Sequence, residues 1–329
     1  MRFDEWMQRC LYGPDGFYVR GGRAGRGRGD FITSPEVGPL FGAVVARWLD
    51  ATWRELGSPE PFVVAEAGAG RGALRISVAA AAPACAAALE YHAVEISPAI
   101  GGPLSQLDLP TRCHVVLANE LLDNLPFRIV ERTGSPSGGF AAAPGRWSEV
   151  LVDPSTHPTS FCLTNGTPGD ALRETERVLA QVDDVPIGTR LPWLERAEQW
   201  VEAARARAHR VLVFDYGVEQ TVELVGRDWL RTYRDHRVGT DPLVEPGSCD
   251  ITTDVAFDQL PAGARILRQG HWLERWGIED LVDEGRRIWT ERAHIGDLAA
   301  IRGRSRVTEA EALCEPSGLG GFLVAEWSA

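Results

Sequence analysis

Short, unbroken apolar runs recur along the chain, and each stops at an acid or an amide. Pro61-Phe62-Val63-Val64-Ala65 stops at Glu66, Tyr91-His92-Ala93-Val94 at Glu95, His114-Val115-Val116-Leu117-Ala118 at Asn119-Glu120, and Val211-Leu212-Val213-Phe214 at Asp215. Runs this short and this continuous predict strands buried on both faces. Helical patterns lie between them: the alanine-rich stretch after Gly72, Leu194 to Ala208, and Asp280 to Arg292. Met1 to Leu56 also reads as helical, apart from a glycine-rich interruption. Within it, Thr33-Ser34-Pro35-Glu36 is a helix start, a hydroxyl followed by Pro near the first turn, and Leu40, Val44, Ala46, Trp48 and Trp53 supply the apolar positions beyond. Gly57-Ser58-Pro59 ends that helix, and Phe322-Leu323-Val324-Ala325 forms a terminal strand. Buried strands alternating with helices predict an α/β fold, a doubly wound, Rossmann-like parallel sheet covered on both faces, with ligands at the carboxyl ends of its strands.

From Arg132 to about Pro186 the pattern changes to a Gly-Ser-Pro turn and short alternating runs, Trp147 to Val152 and Phe161 to Thr164, which predict a β-rich insertion. The expected organisation is an N-terminal helical lid over 1–60, a first part of the core over 61–131, the insertion on the substrate side over 132–186, and the rest of the core over 187–329.

Composition narrows the chemistry. The 329 residues carry 34 basic and 46 acidic side chains, a net charge of −12, so no general attraction to nucleic acid or to an anionic membrane is expected. Every basic residue is Arg, which removes Schiff-base, Walker-A and lysine-nucleophile mechanisms. Six cysteines are scattered singly, without the spacing of a zinc site or a disulfide framework, so no metal is expected and a reducing compartment fits. The start, Met1-Arg2-Phe3-Asp4-Glu5-Trp6, has early acids and no signal-peptide run, and Ile76 to Leu89 is too short to span a bilayer. A cytoplasmic protein is the expectation.

The first strand leads into Gly68-Ala69-Gly70-Arg71-Gly72, where glycines let the backbone approach a ligand and the next helix offers free N–H groups. The same residues satisfy the dinucleotide fingerprint, and Glu95 at the next strand end suits a ribose diol under either reading. Glu66 tips the balance away from the dinucleotide reading, because Glu-x-Gly-x-Gly is the pattern of S-adenosylmethionine (SAM) enzymes.

Gly29-Asp30-Phe31-Ile32-Thr33-Ser34-Pro35-Glu36, Glu66 to Gly72, Ala118-Asn119-Glu120-Leu121-Leu122-Asp123-Asn124-Leu125-Pro126 and Phe214-Asp215-Tyr216-Gly217 occur in that order. They resemble the motifs of the MidA family, which includes the mitochondrial complex I assembly factor 7. The resemblance spans nearly the whole chain, including Tyr233 to Arg237 and Asp250 to Val255, and departs at Ala69, where many members carry Pro. It implies a class I SAM-dependent methyltransferase with S-adenosylhomocysteine as product, and for the mitochondrial member methylation of an arginine. The cofactor contacts expected are Glu66, Gly68, Ala69, Gly70, Gly72, Glu95, Ile96 and Asn119, with Thr33, Ser34 and Pro35 closing over them together with Asp30.

Methyl transfer needs alignment of nucleophile and methyl group and an acceptor for the proton. For a guanidinium, Glu120 and Asp123 are the catalytic candidates, sharing a face if the turn after the third strand is helical, with Asn119 beside them. Asp215 could sit across the same cleft, and His236 in its polar loop stands in the second rank. A protein side chain, arginine where the resemblance points, is the expected acceptor. The alternatives are a small-molecule acceptor, a non-catalytic SAM-binding assembly factor or scaffold, and, more weakly, an NAD-dependent dehydrogenase. Arg20, Arg23, Arg26 and Arg28 interleave with glycines, which reads as a solvated loop and as a candidate for automethylation rather than as an RNA-binding segment.

Overall fold

The computed structural model describes residues 1–20, 32–95, 109–134, 146–156, 159–163, 179, 182, 185–234 and 237–328. The glycine- and arginine-rich loop from Gly21, Asp30, Ile96 and His236 lie outside the described residues. The helical N-terminal stretch forms α1 (Phe3–Tyr12), α2 (Ser34–Val37) and α3 (Pro39–Glu55), and the first apolar runs form β1 (Phe62–Ala67), β2 (Leu89–Val94) and β3 (Cys113–Asn119), with α4 (Ala73–Ala80) after β1. Next come β4 (Arg128–Thr133), β5 (Arg146–Asp153), β6 (Ser160–Leu163), β7 (Arg190–Trp193), α5 (Glu195–Arg205) and β8 (Ala208–Asp215). The C-terminal part holds β9 (Gly217–Val218), β10 (Leu230–Arg234), β11 (Arg237–Gly239), β12 (Asp250–Thr253), β13 (Val255–Ala256), β14 (Arg265–Arg268), α6 (Gln269–Arg275), α7 (Ile278–Arg292), α8 (Leu298–Cys314) and β15 (Leu323–Ser328).

Six strands build the central sheet in the order β14-β15-β8-β3-β1-β2. Strands β2, β1, β3 and β8 run parallel, so the residues that end their apolar runs emerge along one edge. Strand β15 is antiparallel to both β8 and β14, so the otherwise parallel sheet carries one reversed strand and is mixed. An apolar run records burial, not direction, and that is why the sequence pattern left this open. One consequence is that Phe322, just before β15, arrives at the same edge as Asp215, its neighbour Leu323 being paired with that residue.

Apolar groups cover both faces. Helices α3, α4, α6 and α7 bury one face of the sheet, where Phe41 and Trp272 pack edge-on against Phe214. Gly42 lets α3 approach α4, since a Cβ there would fall 2.2 Å from the Ser77 Cβ. Helices α1 and α5 cover the other face with the sheet β6-β5-β4-β7, an antiparallel unit running from Arg128 to Trp193 and so extending beyond the pattern change at 132–186 on both sides. The expected single helix after Thr33 is divided by the extended backbone of Gly38, and Glu309 of α8 caps α3 by accepting the Leu40 N–H at 2.9 Å. That cap comes from the far end of the chain, beyond the reach of local pattern.

Candidate active site

The edge carrying the strand ends divides into two halves. After β1 and β2 lie the glycine loop and two carboxylates. Gly68, Gly70 and Gly72 all have left-handed backbone, at φ 68°, 52° and 74°. A Cβ on Gly70 or Gly72 would meet nothing within 4 Å among the described residues, so the loop presents bare backbone to open space. On Gly68 it would lie 3.1 Å from Leu121, which joins the loop to the turn after β3. The Gly70 N–H donates to Glu95 at 2.5 Å, and the exposed Glu95 carboxylate fixes the loop from the end of β2. Glu66 is buried and accepts a hydrogen bond from the Tyr91 hydroxyl at 2.8 Å. Burial pushes its carboxyl up to about 7, against the pull of the Tyr91 bond.

After β3 and β8, and before β15, lies a cavity of about 400 Å³ whose lining includes Glu120, Asp123, Tyr216, Arg231, Tyr233 and Asp254. Glu120 has left-handed backbone (φ 50°), held by its N–H bond to the Phe214 carbonyl at 2.8 Å. Such a conformation in a residue with a Cβ costs about 1–3 kcal/mol and is often found at functional sites. It breaks the helical turn expected across 120–123, so the two acids meet at the cavity rather than along a helix face. Oε1 of Glu120 accepts from the Asn119 amide at 3.0 Å and from the Ser34 N–H at 3.3 Å. Burial pushes this carboxyl up to about 8, and repulsion from Asp123 adds to the shift.

Asp123 stands on a short 3-10 turn, Leu122–Asn124, and its Oδ2 accepts from the Tyr216 hydroxyl at 2.7 Å. Its other oxygen, Oδ1, is buried without a hydrogen-bond partner among the described residues. Burial raises this carboxyl to about 6, with the Tyr216 bond holding it down. Asp215, fully buried, does not line the cavity but accepts the N–H groups of Leu122 at 2.8 Å, Asp123 at 3.3 Å and Tyr216 at 3.0 Å. On the far side of the turn, Asn124 donates to Asp250 at 3.1 Å and accepts from Tyr18 at 2.9 Å, tying α1 and the segment after it to this corner.

Glu66, Gly68, Ala69, Gly70, Gly72 and Glu95 thus gather around the ends of β1 and β2, while Glu120 and Asp123 share the adjoining cavity. Thr33, Ser34 and Pro35 approach from the Glu120 side: the Ser34 hydroxyl donates to Gln269 at 3.0 Å, Pro35 is buried in the first turn of α2, and the Thr33 side chain makes no capping bond. Asn119 leaves its own Oδ1 buried and unpartnered among the described residues. Sequence reasoning missed Arg231, Tyr233, Thr252 and Asp254 as site residues. For Tyr233, Thr252 and Asp254 the signal available was their place in two of the segments shared with the family, Tyr233 to Arg237 and Asp250 to Val255; Arg231 lies outside both. Among the described residues no group of His, Cys, Asp and Glu is placed to hold a metal ion.

A mixed sheet with one reversed strand, a glycine loop after its first strand and acids at the next strand ends defines the class I methyltransferase fold. A family model described as putative S-adenosyl-L-methionine-dependent methyltransferase matches residues 44–102 and 103–273, and the chain belongs to this family of SAM-dependent methyltransferases. The mitochondrial protein arginine methyltransferase NDUFAF7 homolog of Drosophila melanogaster is 30% identical over 303 residues, 77% of this chain and 64% of that protein. Human mitochondrial protein arginine methyltransferase NDUFAF7 is 27% identical over 327 residues, 84% of this chain and 69% of that one. The chain therefore spans about two thirds of the length of these relatives. A crystal structure of a COG1565 superfamily member from Burkholderia thailandensis bound to S-adenosyl-homocysteine superposes with a TM-score of 0.76 at 26% identity, over 100% of this chain and 88% of that one.

Proposed function

We propose that this chain transfers the methyl group of SAM to a nitrogen of a protein side chain, with arginine as the acceptor. The observation that carries the reading is the adjacency of the two half-sites, a bare glycine loop with Glu95 on one side of Leu121 and a carboxylate pair, half-buried Glu120 and buried Asp123, on the other. The names of the relatives, protein arginine methyltransferases, support the acceptor.

The residues present fit the cofactor. The exposed Glu95 can accept hydrogen bonds from both hydroxyls of a ribose, the open left-handed loop lets backbone approach the ligand, and Glu66, held by Tyr91, stands at the end of β1 just before that loop. SAM, when bound, supplies an electrophilic sulfonium methyl. Glu120 and Asp123 accept hydrogen bonds from a guanidinium and orient one of its nitrogens. A guanidinium ordinarily holds its protons past about pH 12, so its loss of one must be assisted. Asp123, raised to about 6, is still mostly ionised near neutrality and is a stronger base than an ordinary acid, whereas Glu120, raised to about 8, is mostly protonated there until a cationic guanidinium beside it favours the ionised form. The fixed Tyr216 bond keeps Asp123 turned toward its role.

Label transfer from tritiated SAM to an arginine-containing peptide tests the reading. Glu120→Gln and Asp123→Asn are each expected to lose about 10²–10⁴-fold in transfer while SAM binding persists. Undiminished transfer in both variants, or label appearing only in small molecules, would overturn it.

A further inference from the structure

We infer that Arg231 binds a carbonyl oxygen of the acceptor, so that the cavity takes arginine within a polypeptide and disfavours the free amino acid. The inference rests on methyl transfer to a guanidinium and narrows the substrate class of that site.

The cavity has two chemically different sides. Glu120 and Asp123 follow β3, whereas Arg231 belongs to β10 and Asp254 lies between β12 and β13. The Arg231 guanidinium is held twice: Nη2 donates to Asp254, and its carbon lies 4.9 Å from the centre of the Tyr216 ring. A guanidinium pinned by a carboxylate and an aromatic face has a fixed orientation. Its Nε has no hydrogen-bond partner among the described residues, and the side chain keeps 24% of its exposure at the cavity. Thr252, a neighbour on β12, likewise has a buried hydroxyl without a partner among the described residues. These polar groups call for an oxygen acceptor on the ligand, because unsatisfied buried donors are costly.

A ligand that is only a cation offers no oxygen to Arg231 and gains nothing there. A ligand with a cationic end and an oxygen further along meets both sides. The oxygen is best neutral. Asp254 already offsets the Arg231 charge, so a ligand carboxylate would stand beside a like charge, whereas an amide carbonyl takes the hydrogen bond without that repulsion. Arginine in a polypeptide presents the carbonyl; free arginine presents the carboxylate.

Calorimetric titration in the presence of S-adenosylhomocysteine, with N-acetyl-arginine N-methylamide, free arginine and methylguanidine as probes, tests this. The capped arginine is expected to bind about tenfold or more tighter than either of the others, and Arg231→Gln is expected to bring it down to the level of methylguanidine with S-adenosylhomocysteine affinity unchanged. Asp254→Asn is expected to narrow the gap between capped and free arginine, which keeps the test decisive if Arg231→Gln fails to fold. Free arginine binding as tightly as the capped form overturns the inference, and so does a preference that survives Arg231→Gln. Loss of S-adenosylhomocysteine binding in that variant assigns Arg231 to the cofactor and overturns it too. If no probe binds while S-adenosylhomocysteine does, the guanidinium reading itself falls, and this inference with it.

Discussion

Tyr216 donates its hydroxyl to Asp123 at 2.7 Å, and the backbone N–H groups of both residues are held by one carboxylate, Asp215. The pair is therefore fixed from the side chain and from the main chain together, although its members stand 93 residues apart in sequence. A fully buried acid beneath the site fixes the two groups that face it.

Tyr216→Phe removes the hydroxyl and leaves the ring under Arg231. The hydrogen bond holds Asp123 down against its burial, so its loss raises that carboxyl above about 6. The acid limb of the pH profile of methyl transfer is expected to move to higher pH, with SAM affinity unchanged. A profile that does not move would remove Asp123 as the group that must be ionised.

Asp215→Asn exchanges an acceptor for an amide NH₂ that faces backbone N–H groups. The turn carrying Asp123 is expected to lose about 1–3 kcal/mol of stability, read as a lower urea midpoint at unchanged slope. A wild-type midpoint would mean that the turn is held by other contacts.

The strands were legible because a strand buried on both faces is a short apolar run, and the acids that end β1, β2 and β3 could be read directly as edge residues. Glu66, Glu95, Glu120 and Asp123 became candidates for that reason. Three features were not legible. The direction of β15 leaves no trace in its composition. The left-handed backbone of Glu120 is set by its bond to the Phe214 carbonyl, a tertiary contact. Arg231, on the short strand β10, and Asp254, between β12 and β13, lie more than a hundred residues beyond Glu120, where neither periodicity nor spacing links them to it.

Asp250 gives a pH signature of stability. Burial, with repulsion from Asp123, raises its carboxyl to about 8, far above the ordinary 3.8. Between those values the folded protein holds a proton that the unfolded chain has released, so this contribution falls as pH rises from about 4 through about 8. Asn mimics the protonated form. The wild type is therefore expected to lose more stability than Asp250→Asn between pH 5 and pH 8.5 in urea titrations, and parallel losses would contradict the assignment.

Gly42→Ala tests the packing that supports the glycine loop. Its Cβ would clash with Ser77 of α4, the helix that follows the loop, and overpacking of this kind costs about 1–3 kcal/mol. Thermal unfolding is expected to occur at lower temperature. An unchanged midpoint would show that α3 and α4 can separate freely.

The central claim is that the loop from Gly68 to Gly72 holds SAM beside the carboxylate cavity. Calorimetric titration of the wild type and of Gly70→Val with SAM tests it most directly, because a branched side chain at φ 52° both strains the loop and fills the open space above it. The account predicts one-site binding by the wild type and none by a Gly70→Val protein that is still folded. Equal binding by both proteins, or no binding by the wild type, would contradict it.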